Sequence, residues 1–258
     1  MAFGPALKYS ATKLIAFLLI LIFCVVTGVY SAKAQSRSNW PIDYLAGFAF
    51  FKFAKVEPDF RTWVLSSPAH ENGSPRSRAI LLRSEVPRLQ NAFSNYVIDD
   101  HPITLETEVT MKIPLPAVAK RLAKEEGLIT IPIKIVQDTG SLFAIQLADM
   151  WIALIPEGLD DMLQLRFTED EYTAFRNSLK DAGYISGSKV RLSLKVLPTE
   201  ADTQEPLIIK DFQLWMLLAK IISFELRSED SSTTFWHKNI EGYDKQNSSQ
   251  TINDLYKN

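Results

Sequence analysis

The sequence predicts an α+β fold, a single domain with a mainly antiparallel sheet of about five to six strands and helices packed on one face, following an N-terminal signal segment. Three observations point there. Helical spacing of apolar residues dominates the chain soon after Gln35, strict alternation takes over at Ile103, and the later elements are joined by short links.

The chain opens with Lys8 and Lys13 and then carries no charge from Leu14 to Ala32, with Ala32-Lys33-Ala34 closing the run. Basic residues stay on the cytoplasmic side, the apolar run partitions into the bilayer, and small side chains before Gln35 suit signal peptidase. Residues 1–34 therefore read as a signal peptide and the protein as exported. About 18 uncharged residues can also just span a bilayer, so residues 14–32 are in the alternative an uncleaved anchor. Cys24 does not read as a lipidation site, because such a cysteine ends its apolar run and Val25-Val26 continue this one.

Composition bounds the chemistry of the mature part. The chain's one cysteine, Cys24, lies in the leader, which leaves the mature part without disulfides, thiolate nucleophiles or cysteine-held zinc. Its 224 residues must cohere by burial, and that length can enclose a core. An exported chain without cysteine fits a bacterial periplasm better than an animal extracellular space. The mature part has 25 basic against 30 acidic residues, a net charge of −5 that gives no electrostatic ground for nucleic-acid binding.

From Pro41 a helix is expected, with Ile42, Leu45, Ala49 and Phe53 at near-helical spacing and Phe48 and Phe51 widening the stripe. This phenylalanine-rich face reads first as core and second as a membrane or partner surface. Phe60 to Leu65 is a short segment, and Glu71-Asn72-Gly73-Ser74-Pro75 reads as loop. A second helix is expected after Ser84, with Val86, Leu89 and Phe93 on one face.

Ile103, Leu105, Val109, Met111 and Ile113 alternate with Thr104, Glu106, Glu108, Thr110 and Lys112, the pattern of a strand with one buried face. Leu115 to Glu126 should be a helix presenting Leu115, Val118 and Leu122, closed by Gly127. Ile129 to Ile135 is a strand at a sheet edge, or one whose Pro132 amide position faces outward, because proline cannot donate to a ladder. Asp138-Thr139-Gly140 turns into Leu142 to Ile155, one strand or two pieces with a bend.

Thr168 and Glu171 form a capping box for a helix that buries Tyr172, Phe175 and Leu179 and ends at Gly183. Val190, Leu192, Leu194 and Val196 alternate with Lys189, Arg191, Ser193 and Lys195 in a further strand. Thr199 to Pro206 connects it to Leu207–Leu218, a returning hairpin strand, and Ile222, Phe224 and Leu226 supply a last short strand. Residues 35–227 are thus the globular domain. Ser228 to Asn258, polar and without sustained period, reads as a flexible tail.

The chemistry is mostly bounded by exclusion. Only 10 glycines are present and none forms a phosphate-binding loop; Gly183-Tyr184-Ile185-Ser186-Gly187 has its serine displaced from a nucleophile elbow. His70, His101 and His237 stand apart in sequence. Asp99-Asp100-His101 reads as turn chemistry before Pro102 rather than as a metal or proton-sharing cluster. Glu106 and Glu108 on one strand face, Asp160-Asp161, and the helix-opening Glu169-Asp170-Glu171 read as solvated or dipole-stabilising charge. Lys189, Arg191 and Lys195 form a basic row that either holds an anionic polymer or meets Glu106 and Glu108 as cross-strand pairs; the second is the expectation. The sequence assigns no catalytic, cofactor-binding or metal-binding residue, and no cofactor.

Two functions remain. One is a non-catalytic envelope protein that binds or helps assemble a protein partner through its aromatic helix, an open sheet edge or its tail, where Ile252, Leu255 and Tyr256 fall on one helical turn. The other is a carboxylate-dependent hydrolase of cell-envelope glycan, needing two acids converging in a cleft. The first is preferred.

Overall fold

The computed structural model describes residues 40–136, 142–184, 187–209 and 212–240. Its first elements are helices α1 (Ile42–Ala54), α2 (Phe60–Leu65), α3 (Pro68–Glu71) and α4 (Pro75–Ser94). The phenylalanine-rich face of α1 is core. Phe48 is fully buried, and the rings of Trp40, Phe60, Trp63, Phe93 and Tyr96 stand with centroids 5.5 to 6.4 Å from its own. Gly47 lies where α1 passes closest to the sheet. A Cβ there would stand 2.3 Å from Leu147 Cδ2, so the missing side chain sets how near the helix can come.

Helix α4 corrects the expectation of a start after Ser84. The Ser74 hydroxyl accepts from the Ser77 amide and Pro75 occupies the first helical turn, which places the cap ten residues earlier. The Ser84 hydroxyl, which resembles a cap in sequence, instead donates back to the Ile80 and Leu81 carbonyls at 3.2 and 3.3 Å inside the helix. Pro87 is tolerated within α4, whose fully buried residue is Leu89.

After a tight turn at Ile98–Asp100 come β1 (Ile103–Met111), α5 (Pro116–Glu126), β2 (Ile129–Ile135), β3 (Phe143–Leu147) and β4 (Met150–Glu157). They are followed by α6 (Leu159–Met162), β5 (Gln164–Phe167), α7 (Glu169–Asp181), β6 (Lys189–Ala201), β7 (Leu207–Ile209), β8 (Phe212–Arg227) and β9 (Thr234–Asn239). The class is α+β as predicted, but the sheet has nine strands rather than five or six, and it is mixed. Its order is β3-β4-β8-β6-β1-β2-β5, with β7 and β9 also pairing β8, and β4 runs parallel to β8. The apolar run after Leu142 folds into a hairpin at Ala148-Asp149, with Ala148 in the left-handed region at φ 54°.

Strand β8 organises the sheet. The two segments expected as separate strands, Leu207–Leu218 and Ile222–Leu226, are mostly one 16-residue strand with its own small partner β7. Its residues Leu217–Arg227 pair with β6, through register shifts at Lys195/Val196 and between Pro198 and Glu200. Residues Thr199–Ala201, expected in a connection, belong to β6.

Strand β2 is not an edge, since β1 and β5 flank it. The Ile133 amide donates to Leu163 O at 2.7 Å on the β5 side. Successive amides alternate in direction, so the Pro132 nitrogen faces the β1 side, just beyond the last pair Met111–Ile133. The edge position is overturned, and the proline is tolerated because its nitrogen points past the end of the β1–β2 ladder.

The polar segment after Arg227 differs from its expectation. Thr234–Asn239 is strand β9, Phe235 is buried, and Trp236 packs edge-on against Phe224 and Phe167. A tight turn precedes it: Asp230 accepts from the Ser232 amide at 3.0 Å and from the Ser228 hydroxyl. The tail residues Ile252, Leu255 and Tyr256 lie outside the described residues, as do residues 1–34 and Asp138-Thr139-Gly140.

One face of the sheet carries the main core. Ile103, Leu105, Val109, Leu192, Leu194, Val196, Leu217, Phe224 and Leu226 pack there with the buried residues of α1 and α7. Met216, Leu218 and Ile155 form a small second cluster, on the other face by strand alternation.

Candidate functional site

Four of the charged residues singled out from sequence lie on that other face and satisfy one another. Lys189 Nζ is 2.7 Å from Glu108 Oε2, and Arg191 Nη1 is 3.1 Å from Glu106 Oε2. Glu108 directly opposes Arg191 in the β1–β6 ladder and Glu106 opposes Ser193, so both ion pairs run diagonally. Arg227 pairs with Glu225, whose other oxygen lies 3.5 Å from His237 Nε2. Lys189 and Arg191 of the basic row form the expected cross-strand pairs, which commit Glu106 and Glu108 to cations, whereas Lys195 opposes Thr104 and Ser223 rather than an acid.

The other candidates separate. Asp99 and Asp100 are exposed in the turn, while the His101 ring stacks on Tyr96 at 5.1 Å. Asp160 and Asp161 open the four-residue α6 and face solvent. Glu171 closes the capping box: the Thr168 amide donates to Glu171 Oε2 at 2.8 Å, and the Glu171 amide donates back to Thr168 Oγ1 at 3.4 Å. Those hydrogen bonds hold the Glu171 carboxyl below the usual range. Among the described residues no three of His, Cys, Asp and Glu gather where a metal would sit, and no helix is long and apolar enough to cross a membrane.

The concave site lies between the end of β1, helix α7 and the start of β6. It is built by closures at chain ends. The Tyr172 hydroxyl donates to Pro114 O, pinning the chain after β1 onto α7. The Gly187 amide donates to Met111 O at 3.0 Å, pinning the chain before β6 onto the end of β1. Helix α7 stops in a Schellman motif, with Gly183 N to Lys180 O and Tyr184 N to Leu179 O both at 2.9 Å, and Gly183 at φ 77°. Tyr184 is held in turn, because its hydroxyl accepts from the Glu229 amide at 2.6 Å.

The result is a cavity of about 220 Å³ with Met111, Leu179 and Val190 in its lining, Ile113, Pro114 and Leu115 beside them, and the cations Arg176 and Lys180 one turn apart on α7. Among the described residues neither cation forms an ion pair. A second hollow of about 240 Å³, lined by Pro116, Lys120, Glu169 and Tyr172 among others, lies where α5 meets α7.

One carboxyl pair escaped the sequence. Glu157 opposes Lys220 in the parallel β4–β8 ladder, and Glu200 lies close enough to act on it. Burial and the Glu200 carboxylate push the Glu157 carboxyl up, with Lys220 pulling it partly back. No local pattern could have shown this, because Glu157 and Glu200 come together only through the pairing of β4 and β6 on the two sides of β8. Neither hollow includes these acids, whereas a glycosidase needs its carboxyls across a cleft that admits a sugar ring.

Comparison with protein-family models, with curated proteins and with solved structures gave no match.

Helix α5 overturns the expected face. Leu115 is 71 % exposed and Val118 37 %, and the buried residue is Ala119. The Leu115–Val118–Leu122 stripe was legible as apolar, but the outward turn of Leu115 and Val118, with Leu122 half-buried, was not. The placement of Arg176 and Lys180 one turn apart is plain in the sequence, yet nothing local links them to the end of β1.

Proposed function

We propose that this chain is an exported envelope protein, in a bacterial periplasm, whose folded part is a non-catalytic binding or assembly factor for a protein partner. The export half rests on the basic, apolar and small-residue order of residues 1–34. The binding half rests on the concavity beside α7. Its apolar lining, and cations that form no ion pair among the described residues, are recognition chemistry, whereas the acids on the β1–β6 ladder are already neutralised by cross-strand cations. About 220 Å³ is below the roughly 300–1,000 Å³ of small-molecule sites, which suits a partner's side chain better than a sugar or cofactor.

The test is capture from the envelope fraction with the tagged chain, followed by mass spectrometry. A stoichiometric partner lost on Arg176→Glu and Lys180→Glu supports the reading. Turnover of a defined glycan that stops on Glu157→Gln would replace it with the hydrolase. Mass measurement of the exported product should give an N-terminus at Gln35, and a product retaining residues 14–32 would make that segment an anchor.

A further inference from the structure

Leu115 occupies the N-cap of α5, with φ −65° and ψ 150°, and makes no capping hydrogen bond. Serine, threonine, aspartate or asparagine there would satisfy an amide of the first turn and stabilise the helix; leucine cannot. Burial does not compensate, because Leu115 is 71 % exposed. A residue that breaks a local rule with no folding return marks a site under another demand. Val118 follows one turn later on the same exposed stripe, and Arg176 and Lys180 stand across the concavity that Leu115 borders.

Resting on the proposed binding function, we infer that Leu115, Val118 and the adjoining concavity dock an acidic amphipathic segment of a partner protein. An apolar side chain of that segment enters the cavity, and its neighbouring carboxylates meet Arg176 and Lys180. Charge complementarity selects an acidic partner, since neither cation is neutralised among the described residues. Concavity selects a protein segment over a membrane: the hollow beside Leu115 takes a projecting side chain, whereas a bilayer presents no such projection.

The test uses the full-length chain and a fluorescein-labelled peptide of leucine and glutamate, with a second peptide carrying lysine for glutamate. The acidic peptide should bind at least about tenfold more tightly than the lysine peptide, and less tightly as salt rises. Leu115→Ser should weaken binding about tenfold while raising the melting temperature by about 2 to 4 °C, because serine supplies the missing cap. A purely structural leucine would not move the two readouts in opposite directions. Arg176→Glu with Lys180→Glu should remove the preference for the acidic peptide.

Equal affinity for both peptides, no binding of either, or binding unchanged by Leu115→Ser would overturn the inference. So would binding to anionic phospholipid vesicles without binding to the peptide. An envelope partner whose capture survives Leu115→Ser would leave the binding function standing and remove only this surface.

Discussion

The Trp236 indole meets the Phe224 ring edge-on, with centroids 5.3 Å apart and planes at 83°. This contact makes Thr234–Asn239 part of the fold, where the sequence led to the expectation of a flexible tail from Ser228 onward. Truncation after Arg227 would uncover Phe224 and Leu226 and remove the β9 ladder partner of Ser223–Arg227, the end of β8 that β4 does not reach.

Phe235→Ala should cost about 3 kcal/mol, within the range for truncating a buried aromatic. Truncation after Arg227 should cost more. Chemical denaturation of the two variants separates these outcomes; a wild-type midpoint after the truncation would show that β9 does not dock.

Leu192 is fully buried on β6, between Thr107 of β1 and Leu226 of β8. Leu192→Asp should abolish cooperative unfolding, because an unpaired carboxylate there has no cation or water to solvate it. The expected loss exceeds about 4 kcal/mol. A cooperative melt like that of wild type would mean that Leu192 faces solvent.

The Glu157 carboxyl is raised from its ordinary value of 4.5, chiefly by burial and next by Glu200. The native state then holds that proton more tightly than the unfolded chain, so its contribution favours folding at low pH and is lost as the pH rises through the window just above 4.5. Glu157→Gln should therefore raise the melting temperature at neutral pH, by no more than about 3 °C given partial solvation, and leave it unchanged in acid. Equal effects at both pH values would mean that the carboxyl's charge carries no penalty.

Asp230 shows the opposite sign. Hydrogen bonds from the Ser228 hydroxyl, the Ser232 amide and the Ser232 hydroxyl hold its carboxyl down to about 2. Stability from this turn is present above the ordinary value of 3.8 and is lost as the pH falls through about 2. An NMR titration should place the Asp230 midpoint near 2, and Ser228→Ala should move it upward. An ordinary midpoint would show that the turn between β8 and β9 is not closed by this carboxylate.

By itself the sequence determined whatever depends on consecutive residues. The alternation from Ile103 to Met111 and from Lys189 to Val196 set both strand faces, and the shared period of the charges was enough to pair Glu106 and Glu108 with the basic row. The Thr168–Glu171 capping box and the Gly183 stop fixed the ends of α7 in the same way, because caps are closed by amides three or four residues away. Tertiary structure alone decided what depends on distant partners. Parallel pairing of β4 and antiparallel pairing of β6 with the same strand β8 put Glu157 near Glu200, and Phe224 and Phe167 gave a polar segment the apolar surface it needed to become β9. The candidate site divides along the same line. Leu115 and Val118 were legible as apolar and Arg176 and Lys180 as charged, but only the seating of α5 on Ala119 turned the leucine outward and left it beside those cations. A helix has one period but many possible faces, and the neighbours it packs against choose among them.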